Sequence, residues 1–259
     1  MLASGRRHAA AASSATALLG LVALAAPASA AAASTVVQVK AGELRLDGVP
    51  GTPSSAEVRY RTAAEAGGVS DRFVVQDPGG AEPLGADCAA IDPITVSCDA
   101  RPVISIAAAL GDGDDVMVVN AGKGDGVPSR YRAKLRGQIG ADVLRGGLAD
   151  DVLRGDRGRD VVAGWSGDDR LFGGNGSDGL IGFTGNDTLY GDKGRDALFG
   201  QKGRDLMFGG PQNDVLLARD GFRDPQISCG PGKRQEAVTD RRDPRPRRCL
   251  VREPKGKRS

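Results

Sequence analysis

The chain has 259 residues, 39 of them glycine and only 4% aromatic, which leaves room for one or two domains but not for one large conventional core. Residues 1–30 read as an export signal. Arg6 and Arg7 precede an apolar run over 15–26, and Ala28-Ser29-Ala30 is a small-residue cleavage site. Removing this leader takes away the single histidine, His8, and leaves 33 basic residues (35 less Arg6 and Arg7) against 33 acidic ones. A histidine-free chain excludes Ser-His-Asp and Cys-His catalysis and His-ligated zinc. The apolar run of about 12 residues is too short to span a bilayer. The arginine pair suggests twin-arginine export, which the flanking residues support only weakly, and the N-terminal cleavable signal makes general secretion the expectation.

Residues 31–136 alternate strand-like runs (35–46, 56–62, 72–76, 94–98 and 103–107) with turns, and read as a β-rich N-terminal cap. The four cysteines, Cys88, Cys98, Cys229 and Cys249, form an even, widely spaced set that favours disulfides in an exported chain. Cys88–Cys98 and Cys229–Cys249 each close a local loop, although four cysteines allow three connectivities. A four-cysteine metal site is the rival, and no C-x-x-C occurs to favour it. Gly111-Asp112-Gly113-Asp114-Asp115-Val116-Met117 looks like a degenerate copy of the repeat that occupies 137–217.

A period of nine residues governs 137–217. The first position is always glycine: Gly137, Gly146, Gly155, Gly164, Gly173, Gly182, Gly191, Gly200 and Gly209. The sixth is always aspartate: Asp142, Asp151, Asp160, Asp169, Asp178, Asp187, Asp196, Asp205 and Asp214. The eighth is always Leu, Val or Met, and the fourth is glycine except at Ala149 and Gln212. Glycines at positions one and four suit a tight six-residue turn with positive φ, and the last three residues suit a short strand with its middle side chain inward. Stacked units would bury a thin aliphatic column and line up the aspartates along the turn edge. Such a carboxylate ladder needs a cation, and carboxylates beside turn carbonyls are the donors calcium prefers. The rival is a metal-free solenoid whose aspartates only bond turn N–H groups. An EF-hand is excluded, because no glutamate that could close its loop occurs between Glu82 and Glu236. Position nine carries Phe172, Ile181, Tyr190, Phe199, Phe208 and Leu217, which suit cross-strand stacking or a docking face.

Units such as Gly173-Gly174-Asn175-Gly176-Ser177-Asp178-Gly179-Leu180 resemble the hemolysin-type (RTX) calcium-binding repeat, G-G-x-G-x-D-x-U-x. The resemblance implies a right-handed parallel β-roll with two nonapeptides per coil and calcium between turns eighteen residues apart. Asp142 then pairs with Asp160, Asp151 with Asp169, and so on to Asp196 with Asp214, which makes seven sites. Arg159, Arg195 and Arg204, beside the aspartates, should weaken them, while Ala149 and Gln212 put the end sites in question. Similar layouts occur among exported actinobacterial calcium-repeat proteins.

Residues 218–259 begin as a degenerate coil, Ala218-Arg219-Asp220-Gly221, enter the Cys229–Cys249 loop and end in a basic tail, with 13 basic against 6 acidic residues. That charge suits a solvated tail or contact with anionic cell-wall polymer. The expected fold is all-β: a β-roll of nine nonapeptides with a β-rich N-terminal cap and a disulfide-closed C-terminal cap. The expected function is an extracellular calcium-binding structural or adhesive module that is not an enzyme. The alternatives are a surface binder acting through the basic tail, and a secreted enzyme with the roll as an appendage. No small-molecule substrate is evident, and neither H-E-x-x-H nor G-x-S-x-G occurs.

Overall fold

A computed structural model describes residues 35–251, apart from 41–42, 49–52, 54, 62–71, 79–80, 85–87, 93–94, 101–102, 120–125 and 233–234. The leader and the last basic residues, Lys255, Lys257 and Arg258, lie outside the described residues. Every regular element among the described residues is a strand.

The run expected over 35–46 is instead two strands, β1 (Thr35–Lys40) and β2 (Glu43–Gly48), paired antiparallel. Folding back lets Val37, Leu44 and Leu46 all be buried. Next come β3 (Ser55–Arg61), β4 (Arg72–Gln76), β5 (Ala81–Leu84), β6 (Cys88–Asp92) and β7 (Thr95–Asp99). β3, β4, β7 and β6 form an antiparallel run in which Cys88 is bonded to Cys98. Tyr60, Phe73 and Tyr131 pack ring to ring at 4.9–5.6 Å. Arg130 covers this cluster, its guanidinium 4.5 Å from the Tyr131 ring centre and donating to the Tyr60 hydroxyl at 2.6 Å.

From β8 (Ser105–Asp112) and β9 (Val116–Val119) onward the chain winds as stacked coils, contributing strands alternately to two sheets. β10 (Arg132–Ile139), β12 (Val152–Arg157), β14 (Arg170–Asn175), β16 (Thr188–Lys193), β18 (Leu206–Phe208) and β20 (Gln226–Ser228) run parallel in one. β11 (Val143–Arg145), β13 (Val161–Ser166), β15 (Gly179–Thr184), β17 (Ala197–Lys202), β19 (Val215–Leu217), β21 (Glu236–Val238) and β22 (Leu250–Val251) form the other. The eighth-position side chains make two columns. Leu135, Leu153, Leu171, Leu189, Met207 and Ile227 are in register in the first sheet. Met117, Leu144, Val162, Leu180, Leu198, Leu216 and Ala237 are in register in the second. All are buried. The stack extends past 137–217 at both ends: β2 and β3 pair with β8 and β9 in the same sheets, and Cys229–Cys249 ties down the far end.

The turns are shorter than the sequence pattern indicates. The middle strands are six residues long and run into positions one to three of the next unit, so only positions four to six turn. Gly137, Gly146, Gly155, Gly164, Gly173, Gly182, Gly191, Gly200 and Gly209 therefore do not have the positive φ expected of turn glycines. Positive φ falls at positions two and four, and at position two it is adopted by Gln138, Asp156, Trp165, Phe183, Asp192 and Gln201 as well as by glycines. Outside the first sheet Phe172, Tyr190 and Phe208 stack at 5.1 and 4.9 Å, and the Arg154 guanidinium lies 3.9 Å from the centre of the Phe172 ring. On the second sheet Trp165 and Phe183 meet at 5.0 Å with Arg145 over the indole at 3.8 Å, and Ile181, which the sequence offered for stacking or a docking face, is buried.

Candidate metal centre

Each turn ends on its sixth-position aspartate, whose side chain folds under the turn. One carboxylate oxygen, Oδ1, accepts the backbone N–H of the matching residue one coil earlier. Two ladders result, one on each edge of the roll. On the first edge the N–H groups of Asp115, Asp142, Asp160, Asp178 and Asp196 donate to Oδ1 of Asp142, Asp160, Asp178, Asp196 and Asp214 at 2.8–3.0 Å. On the second edge those of Ala133, Asp151, Asp169, Asp187, Asp205 and Asp224 donate to Asp151, Asp169, Asp187, Asp205, Asp224 and Asp243 at 2.7–3.0 Å. The eighteen-residue pairing that the resemblance implies is present as these hydrogen bonds, and all nine expected aspartates are at most 3% exposed.

First-position glycine makes room for this carboxylate. A Cβ on Gly173 would stand 2.6 Å from Oδ2 of Asp178 and 2.8 Å from the Gly191 carbonyl oxygen. Glycine is needed there for space rather than for φ. The fourth position needs it for both reasons: Gly176 has φ of 152°, and a Cβ would overlap the Gly158 carbonyl oxygen.

The second oxygen, Oδ2, is buried without a hydrogen-bond partner on Asp142, Asp160, Asp169, Asp178, Asp187, Asp196, Asp205 and Asp224. A buried carboxylate oxygen left bare is costly to ionise. Burial lifts the ladder carboxyls, Asp151 and Asp214 included, far above the usual range, against the lowering effect of the N–H bond from the coil before. Neighbouring carboxylates add to the rise at most of them. The values reach about 6 for Asp151, Asp178 and Asp214. They reach about 7 for Asp142, Asp160, Asp187, Asp196 and Asp205, and about 8 for Asp169 and Asp224. Arg159, Arg195 and Arg204, expected to weaken the neighbouring sites, are exposed.

Two of the nine expected aspartates have Oδ2 engaged, and they belong to the two repeats that lack fourth-position glycine. In the repeat with Ala149, the Gly147 N–H donates to Oδ2 of Asp151 at 2.7 Å. In the repeat with Gln212, the Gln235 side-chain amide nitrogen reaches Oδ2 of Asp214 at 3.3 Å, the Gln212 carbonyl at 2.6 Å and the Gly210 carbonyl at 3.1 Å. One donor thus gathers oxygens from positions two, four and six, standing where a cation would satisfy the same set. Hard carboxylate and carbonyl oxygens of this kind are what calcium takes. The other turns offer the same groups with no such amide, so the residues fit the ion. Bound calcium would supply the positive charge that lets adjacent buried carboxylates stay ionised.

Residues 134–162, 145–180 and 181–216 match the family model described as RTX calcium-binding nonapeptide repeat (4 copies). The chain carries RTX calcium-binding repeats. No curated protein matches it. The RTX repeats are a calcium-binding structural element, and no helix among the described residues is long and apolar enough to cross a membrane.

Sequence reasoning missed Asp224, Asp243 and Gln235, and took Asp115 only as part of a worn copy. The spacing explains why. Asp115 lies 27 residues before Asp142, and Asp224 lies 19 after Asp205, so neither keeps the period of 18.

Proposed function

We propose that the chain is an extracellular structural or adhesive module whose RTX roll becomes ordered when calcium fills the aspartate ladders. The observation that carries this reading is the row of buried Oδ2 atoms that no hydrogen-bond donor reaches. One inward side chain per nine residues is thin apolar cover against the entropy of ordering the backbone, so cation binding contributes folding free energy. Two disulfides favour an oxidising, extracellular setting. Calorimetric titration of residues 31–259 with calcium, followed in parallel by circular dichroism, tests the reading. Several calcium ions bound with a gain of β signal are expected, in the 10⁻⁴–10⁻³ M range of extracellular modules, about two to three decades weaker than cytosolic sensors. A spectrum and melting point unchanged by chelation would refute it.

A second reading has its own support. Arg241, Arg242, Arg245, Arg247 and Arg248 are exposed near the end of the described chain, and such a cluster suits an anionic wall polymer. Retention on a polyanionic resin, lost in moderate salt and on replacing these arginines, is the expected result.

A further inference from the structure

The C-terminal ends of the two ladders are finished differently. On the first edge Gln235 supplies a neutral donor and closes the ladder. On the second, where the matched repeats have already ended, the chain adds a carboxylate. Asp220 stands in the coil after Asp205, four residues before Asp224, and each of the three offers an oxygen within 4.8 Å of the other two. The geometry assigns to Asp205, Asp220 and Asp224 a discrete calcium site of three side-chain carboxylates, filled at lower free calcium than the ladder sites.

Three features support it. Oδ2 of all three residues is buried without a partner, and Asp205 and Asp224 are wholly inaccessible. A bare cluster of that density has no reason to persist without a positive charge, and no ion pair reaches it among the described residues; the side chain of Arg242 is turned instead to the Gly221 carbonyl at 2.7 Å. Calcium holds oxygens at about 2.3–2.6 Å, so ligands on opposite sides can lie about 5.2 Å apart, and a set within 4.8 Å fits one ion. Magnesium, which keeps several waters and demands a tighter octahedron, suits a cluster with two wholly buried carboxylates poorly. Among the described residues no other three carboxylates bring oxygens within 4.8 Å of one another. Elsewhere on this edge position three carries Leu148, Ser166, Thr184 and Lys202, none of them acidic. The third carboxylate is therefore particular to this end, and charge count is one of the properties that tunes calcium affinity.

The proposal rests on the roll being a calcium module, and the experiment separates the two. The full chain is titrated with calcium by calorimetry and by circular dichroism, with and without millimolar magnesium, as wild type, Asp220→Asn and Asp196→Asn. Asp220→Asn keeps the oxygen that accepts the Phe222 N–H at 2.8 Å, so the turn is preserved. Wild type should show one calcium bound at about tenfold or more lower concentration than the rest, insensitive to magnesium. Asp220→Asn should abolish that step yet still gain β signal at millimolar calcium, and Asp196→Asn should keep the step while losing affinity in the later phase. An isotherm for Asp220→Asn that matches wild type, equal loss of the early step in Asp196→Asn, competition by magnesium, or an Asp220→Asn chain that no longer responds to calcium would each overturn the assignment. Absence of any calcium-driven β signal in wild type would instead overturn the reading of the roll itself.

Discussion

Stripped of calcium, the roll should be least ordered at pH 8 and should regain order as the solution is made acidic. Ten ladder carboxyls from Asp142 to Asp224 have folded-state pKa values raised to between about 6 and about 8, chiefly by burial, against about 3.9 for aspartate in an unfolded chain. Below about pH 4 both states are protonated and burial carries no ionic cost. Above about pH 8 both are ionised, and the folded state bears the full cost of buried charge. The stabilisation due to protonation is thus present below about pH 4 and lost as pH rises through the 6–8 window. Between these limits the folded roll holds more protons than the unfolded chain. Each extra proton changes stability by about 1.4 kcal/mol per pH unit. A difference of only three protons gives about 4 kcal/mol per pH unit, close to the whole stability of a marginal domain. The assay is far-ultraviolet circular dichroism on calcium-stripped protein from pH 8 to pH 5, beside a series in saturating calcium. The stripped protein should gain β signal towards pH 5, while the calcium midpoint should rise below about pH 7 as protons compete for the same oxygens. A stripped protein whose β signal stays flat or falls towards pH 5 would show that the aspartates are not buried as described.

Gly173→Ala, which forces a methyl against Oδ2 of Asp178, should destabilise the calcium-bound roll by about 1–3 kcal/mol and raise the calcium midpoint, as read by chemical denaturation at fixed calcium. Gln235→Leu leaves the Gly210 and Gln212 carbonyls and Oδ2 of Asp214 without their shared donor, and should cost about 1–3 kcal/mol, measured as a lower melting temperature. Asp142 has a ladder neighbour on each side, so Asp142→Ala and Asp178→Ala should raise the calcium midpoint alike; a mild effect at Asp142 would mean that the ladder ends there.

The period of nine made the core columns and the ladder aspartates legible, because one physical job recurs at one position; their eighteen-residue pairing came from the resemblance to RTX repeats. Where the job persists but the spacing slips, the pattern is silent. Asp115 is displaced by a longer coil and Asp224 by a single extra residue. Position two takes left-handed geometry at Trp165, Phe183 and Gln201, residue types that give no such signal, since stacking coils rather than local preference impose it. Gln235 closes the first ladder across 21 residues through a side chain that nothing in the repeat marks. Of the strands in residues 35–99, β3, β4 and β7 were recognisable by alternation, whereas β1 and β2 read as one run and β5 and β6 gave no strand signal; the antiparallel partners depend on contacts remote in sequence.

Parallel strands stacked in register, like side chain over like, have the geometry of a fibril spine that could recruit further chains at either end. The terminal strands of both sheets answer that hazard. At one end they are β5, four residues with Pro83 among them, and β6, five residues bonded to its neighbour through Cys88–Cys98. At the other they are β20 and β22, three and two residues long, beside the Cys229–Cys249 loop. Short edges, an edge proline without an N–H and covalent ties offer an incoming strand little to pair with. The flanks therefore set the length of the stack. They keep a repeat that could in principle polymerise as a module of fixed size.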